Sequence, residues 1–165
     1  MTTCRHATGA APWGPALAPY HAAMATIEAD LKHGYVVDIT NGTHRWGADE
    51  PVDVGGTDTG PNPYELLLGA LAACTCITVS MYARRKEMDF DSVSVRYHFE
   101  QVHADDCEHC DDDDTGWLEQ VRAEVFVEGR FTDGQRDRLA QIATRCPVHK
   151  TLDKGVVFDD SVTVG

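Results

Sequence analysis

The run P-Y-E-L-L-L-G-A-L-A-A-C-T-C-I-T-V-S-M-Y-A-R-R-K, residues 63–86, decides how this chain folds. It is apolar nearly all round and ends in basic residues, which suit a helix C-terminus where partial negative charge gathers. Pro63 stands where the first turn of a helix accepts proline, because the N–H it lacks would have no intrahelical partner. The segment therefore reads as a central, buried helix, and the rest of the chain as its cover.

Working outward, D-S-V-S-V-R-Y-H-F-E-Q-V-H (91–103) and L-E-Q-V-R-A-E-V-F-V-E-G-R-F (118–131) alternate with period two, the mark of antiparallel strands covered on one face. An acidic loop, A-D-D-C-E-H-C-D-D-D-D-T-G, separates them. On the N-terminal side, residues 25–31 and 34–51 read as strands, and Asn41-Gly42 is a two-residue hairpin signal between alternating runs. A Gly/Pro loop, V-G-G-T-D-T-G-P-N-P, then leads into the helix. Downstream, T-D-G-Q-R-D-R-L-A-Q-I-A-T-R-C is a second, amphipathic helix with Thr132 or Asp133 as N-cap, stopped by Cys146-Pro147. A short helical piece around V-H-K-T-L-D-K and a last strand, V-V-F-D-D-S-V-T-V, complete an α+β order. Residues 1–22, rich in Ala, Pro and Gly without a period, read as a flexible N-terminal tail, and residues 23–165 as a single domain.

The chain has 27 acidic against 14 basic residues, a formal net charge of −13, which argues against nucleic acid or an anionic membrane as partner. The acids are spread along the chain and lysine is scarce, a pattern that suits solubility in concentrated salt and a halophilic source. No charged start precedes an apolar run at the N-terminus, and no window approaches the roughly 18 apolar residues of a membrane span, so a cytoplasmic protein is expected. Six cysteines in a chain of this length do not make a disulfide scaffold; clustered thiols then point to metal or redox chemistry.

Cys74 and Cys76 lie in the apolar helix, where a single thiol is most simply packing. At about 100° per residue they point to different faces, so they cannot bond to each other within an intact helix. Cys74 shares its face with Leu67, Ala70, Leu71, Thr78 and Met81, and Cys76 shares its own with Glu65 and Ala72. Glu65 is read either as first-turn helix stabilisation or as an acid with a cationic partner. Cys146, in R-C-P-V-H-K-T-L, has Arg145, His149 and Lys150 nearby in sequence, and positive charge favours thiolate.

G-P-N-P-Y-E-L-L-L-G-A-L-A-A-C-T, followed about seventy residues later by C-P-V-H-K-T-L, resembles the OsmC/Ohr family of osmotically inducible and organic hydroperoxide resistance proteins. The likeness runs from about Ile27 to the C-terminus and takes in A-D-E-P and G-G-T-D-T-G; the D-C-E-H-C loop is similar to that of an OsmC-like subgroup. The resemblance implies an OsmC-like α+β fold, with antiparallel sheets around two central helices, in an intertwined homodimer with active sites at the subunit interface. It also implies a cysteine-dependent, peroxiredoxin-like peroxidase. Cys74 takes the peroxidatic position and Cys146 the resolving one: Cys74 reduces hydrogen peroxide or an organic hydroperoxide, becomes a sulfenic acid, and closes a disulfide with Cys146. A dithiol reductant, of thioredoxin or lipoyl type, then resets the pair. The sequence departs from the pattern at Tyr64, where the hydroperoxide resistance members carry a Glu that, with an early Arg, activates the thiol. Glu65 comes one residue later and faces away from Cys74, and Arg45 is the arginine the hairpin offers.

Two other readings stay open. One is a non-catalytic protein that binds a small ligand or senses redox state in the same pocket. The other is a zinc module at Cys107 and Cys110, a C-x-x-C pair that His103 and His109 would complete; the run of aspartates beside it opposes thiolate formation unless a metal is present.

Overall fold

The computed structural model describes residues 25–104 and 116–164. In chain order the elements are β1 (Glu28–Leu31), β2 (Val37–Thr40), β3 (Arg45–Ala48), α1 (Pro63–Arg85), β4 (Asp89–His103), β5 (Trp117–Arg130), α2 (Asp133–Ala143) and α3 (Pro147–Lys154). The strands form a three-stranded sheet, β1-β2-β3, and a two-stranded ribbon, β4-β5. All pairings are antiparallel. The N-terminal tail with Cys4, and the loop holding Cys107, His109 and Cys110, lie outside the described residues.

Helix α1 starts at Pro63 as predicted, and its start is secured locally. Asn62 Oδ1 accepts the Glu65 N–H at 2.9 Å while Glu65 Oε2 accepts the Asn62 N–H at 2.8 Å. This reciprocal capping box satisfies two of the donors that a helix start leaves open. The expectation of burial all round does not hold: only Leu71, Thr75, Val79 and Ala83 are buried, four residues apart along one stripe. Ile77 stays 58% exposed and Met81 67%. A ribbon two strands wide and two shorter helices cover one side of a helix and no more. With a mean hydropathy of 1.9 over an 18-residue window, α1 is also long and apolar enough to cross a membrane by composition, contrary to the sequence reading. Here it packs against β4, α2 and α3.

The ribbon runs in register from Asp89↔Arg130 to His103↔Trp117, with an irregularity between Phe90 and Ser92. On one face Phe90, Val93, Val125 and Val127 pack on a core of Val79, Ala83, Leu139 and Ala143. On the other face Arg96 meets Glu124 at 3.2 Å, an exposed pair that contributes about 1 kcal/mol at most. Helix α2 opens on Thr132, as the sequence indicates, through a second capping box with Gln135. It ends at Ala143, and Cys146 instead caps α3: its Sγ accepts the His149 N–H at 3.3 Å.

The β2–β3 hairpin forms where expected, but its loop has four residues, not two, since Thr40 pairs with Arg45. Asn41 Oδ1 accepts the N–H groups of Thr43 and His44, and this side-chain turn sets the longer loop. Residues 156–164 are not a strand, although they were predicted as one. Val157 is 95% exposed there, and among the described residues no neighbouring strand offers them a ladder. A β-branched, apolar sequence does not make a strand unless a partner supplies the hydrogen bonds.

Between β3 and α1, the buried Asp49 ties the loop together. Its Oδ2 accepts from the N–H and hydroxyl groups of both Thr57 and Thr59, and Oδ1 from the Glu50 N–H. Gly56 turns so close to Glu50 that any Cβ there would strike the Glu50 carbonyl. The Thr57 hydroxyl, the Thr59 and Glu50 N–H groups and the Thr59 hydroxyl, opposed by desolvation, hold the Asp49 carboxyl well below the usual carboxylate range. A depressed folded-state value contributes stability above the unfolded value of about 3.9, which is lost as pH falls toward the folded one. Asp49→Asn should therefore unfold at lower temperature than the wild type at pH 7. The gap should narrow below about pH 4, and thermal melts from pH 7 to pH 3 test it.

Candidate active site

Helix α1 positions two neighbouring side chains on the side facing α3. Thr75 is wholly buried, and Cys74, one residue earlier and turned toward the edge of the stripe, is partly exposed. The N-terminus of α3 brings up Cys146, wholly buried. Cys74, Cys76 and Cys146 are free thiols.

The Cys146 sulfur is the centre of the arrangement. Burial pushes its thiol up, but hydrogen bonds from the Thr75 hydroxyl, the His149 N–H, the Cys74 thiol and the Val148 N–H together outweigh burial and hold it below the ordinary thiol value. The two backbone donors belong to the first turn of α3, whose dipole also favours an anion. Thiolate character was predicted here from Arg145, His149 and Lys150; those side chains are exposed, and the hydrogen bonds supply it instead. Thr75 Oγ1 lies 2.9 Å from Tyr97 OH on β4. The Tyr97 phenol is pushed up, chiefly by burial and further by the sulfurs of Cys146, Cys76 and Cys74, with the Thr75 bond working against this.

Of the residues singled out in the sequence, the structure therefore brings Cys74 and Cys146 together. It does not bring the proposed helpers to them. Glu65 is engaged in the capping box at the helix start. Among the described residues no hydrogen bond or ion pair joins Arg45, exposed at the start of β3, to Cys74. Tyr64 stacks on Phe99 with ring centroids 4.6 Å apart. The two rings line an open cleft of about 520 Å³ that also touches Glu50, Leu68 and Tyr97. Cys76, turned to another face as predicted, has its Sγ 3.9 Å from the Val93 carbonyl. His103 sits edge-on to Trp117, 5.6 Å between centroids. Among the described residues no group of three or more His, Cys, Asp or Glu could hold a metal.

Sequence reasoning missed Thr75, Tyr97 and Asp49. A hydroxyl directly after Cys74, on the buried stripe of an apolar helix, was a usable signal for Thr75, because a buried hydroxyl needs a partner.

A two-thiol site set where the N-terminus of one helix meets the middle of another, beside an antiparallel ribbon, marks this as an α+β protein with paired cysteines between its helices. The model of the OsmC-like protein family matches residues 56–159, and the chain belongs to that family. Solved structures agree on the fold. A candidate osmotic-stress-induced and detoxification response protein of Psychrobacter arcticus superposes with a TM-score of 0.60 at 20% identity, over 79% of this chain and 90% of its own. An OsmC-like protein of Mycoplasma pneumoniae does so with 0.60 at 18% identity, over 78% and 86%. An organic hydroperoxide resistance protein of Legionella pneumophila gives 0.55 at 19% identity, over 81% and 89%. No curated protein matches the chain.

Proposed function

We propose that this protein is a thiol-dependent peroxide reductase in which Cys74 attacks and Cys146 resolves. What supports the reading is that Cys74, partly exposed on α1, is among the groups that lower the thiol of the buried Cys146 at the start of α3, so two residues far apart in sequence are neighbours. Cys74 passes its thiol proton to the neighbouring Cys146 sulfur and attacks the terminal oxygen of a hydroperoxide; the O–O bond breaks, and the alkoxide takes that proton and leaves as alcohol, which returns Cys146 to the thiolate. Cys74 is then a sulfenic acid. Cys146 thiolate attacks that sulfur, the S–O bond breaks and hydroxide leaves as water. An external dithiol reduces the disulfide. The cleft at Tyr64, Leu68 and Phe99 suits an apolar substrate tail, so organic hydroperoxides are preferred to hydrogen peroxide.

The working form is a homodimer. Leu67, Cys74 and Met81 lie seven residues apart on one strip of α1, and Leu67 and Met81 are exposed. Phe126, Val157 and Phe158 are exposed as well. Apolar surface on this scale marks an interaction site, and a second chain laid on the strip closes the site over Cys74.

The test is mass spectrometry of the reduced protein after one equivalent of cumene hydroperoxide. A Cys74–Cys146 disulfide is expected; unmodified thiols at both positions would sink the reading.

A further inference from the structure

The cleft of about 520 Å³ between the start of α1 and β4 has walls of one kind and charges of one sign. The walls are aromatic. Tyr64 stacks on Phe99 with ring centroids 4.6 Å apart, and Tyr97, two residues before Phe99, lies on the same face of β4. The cleft adjoins the thiol site, since Tyr97 OH is 2.9 Å from Thr75 Oγ1, one residue after Cys74. Its charged lining is Glu50, in the loop after β3, and Glu65, in the first turn of α1; no lysine or arginine lines it. His98, between the two aromatic residues of β4, alternates to the exposed face of the ribbon.

Neither carboxylate is compensated within the chain. Glu50 is half-buried and its backbone is fixed: its N–H donates to Asp49 Oδ1 at 2.8 Å, and its carbonyl accepts the Asp58 N–H at 3.2 Å. Among the described residues its carboxylate has no hydrogen bond and no ion pair. Glu65 accepts the Asn62 N–H through Oε2 and likewise has no cationic partner among them. A carboxylate drawn out of water without a cation is costly, and the faces of aromatic rings attract cations. A cation with an apolar body offsets both; an anion there would meet two like charges and electron-rich ring faces.

We infer that this cleft binds an organic ammonium group, held by Glu50 and Glu65 against the rings of Tyr64, Tyr97 and Phe99, and that it repels carboxylates. The inference deepens the peroxidase reading and, for the reaction, rests on it. Hydroperoxides with cationic or neutral tails are admitted beside Cys74, and those with a carboxylate on the tail, as in a fatty-acid hydroperoxide, are turned away. The formal net charge of −13 adds a field of the same sign over the whole surface.

Three benzyl compounds of similar size test this on the reduced full chain with no peroxide present: benzyltrimethylammonium, phenylacetamide and phenylacetate. Binding is read from the ring signals of Tyr64, Tyr97 and Phe99 in NMR titrations. At about 0.1 M salt the cation should bind roughly tenfold more tightly than the amide, and the carboxylate more weakly than the amide. At about 1 M salt the spread should narrow, because screening shortens the reach of the two carboxylates. Glu50→Gln should weaken the cation by roughly fivefold and leave the amide unchanged. Tyr64→Leu, at a position 51% exposed, should weaken the cation as well, and it keeps the test open should Glu50→Gln disturb the loop. Equal binding of cation and amide by the wild type, tighter binding of phenylacetate, or wild-type affinity for the cation in both variants would overturn the inference. Peroxide consumption is a separate readout: if the protein binds the three compounds in this order but never consumes cumene hydroperoxide, the peroxidase reading fails and the charge preference of the cleft stands.

Discussion

Cys74→Ser should lower the consumption of cumene hydroperoxide by roughly 10³-fold or more, the scale expected when a nucleophile is deleted. The serine hydroxyl keeps the volume and donates to the Cys146 sulfur, so the fold is retained, but an alcohol is a poor nucleophile toward peroxide oxygen. Cys146→Ser should behave differently. Its first equivalent of peroxide is consumed, turnover with a dithiol slows, and Cys74 accumulates as a sulfenic acid that dimedone traps. Rapid single-turnover mixing followed by mass spectrometry separates the two. If Cys146→Ser alone abolishes the first turnover, the roles are reversed, and the thiolate at Cys146 is the attacking group despite its burial.

The second large effect concerns the exposed strip of α1. Met81→Asp should convert a dimer to a monomer at micromolar concentration. A carboxylate buried without a partner costs on the order of several kcal/mol, and a symmetric interface contains the change twice. Met81 is 67% exposed within one chain, so the same substitution should leave monomer secondary structure intact. Peroxide consumption should fall with dissociation, since Cys74 shares that strip. Sedimentation velocity on wild type and variant gives the answer; a wild type that sediments as a monomer removes the dimer, and the closed site with it.

Much of this architecture could be read in the residues, and the parts that could not share one cause. Asn62, Pro63 and Glu65 announce the start of α1 because a capping box is made between residues three apart. Thr132 and Gln135 do the same for α2. The alternation over 91–103 and 118–131 marks β4 and β5 because side-chain period and covered face are coupled within each strand. The last nine described residues are rich in Val and Phe yet make no strand, since a ladder depends on a partner that local sequence does not contain.

The site divides in the same way. Helical spacing alone separates Cys74 from Cys76, and the motif around Cys74 and Cys146 leads to the family. The donors on Cys146 come from packing: α3 must dock on α1 before Thr75 and Cys74 reach its sulfur, and β4 must lie across α1 before Tyr97 reaches Thr75. Asp49 looks like one more acid among 27 until Thr57 and Thr59 fold back onto it. Thus the amino-acid sequence by itself determined the helices, the start of α1 and the cap of α2, the paired strands and the family, all set by interactions between near neighbours or by pattern. Tertiary structure alone decided which face of α1 is covered, which thiol is held as an acceptor and by what, because those depend on contacts between residues that only packing brings together.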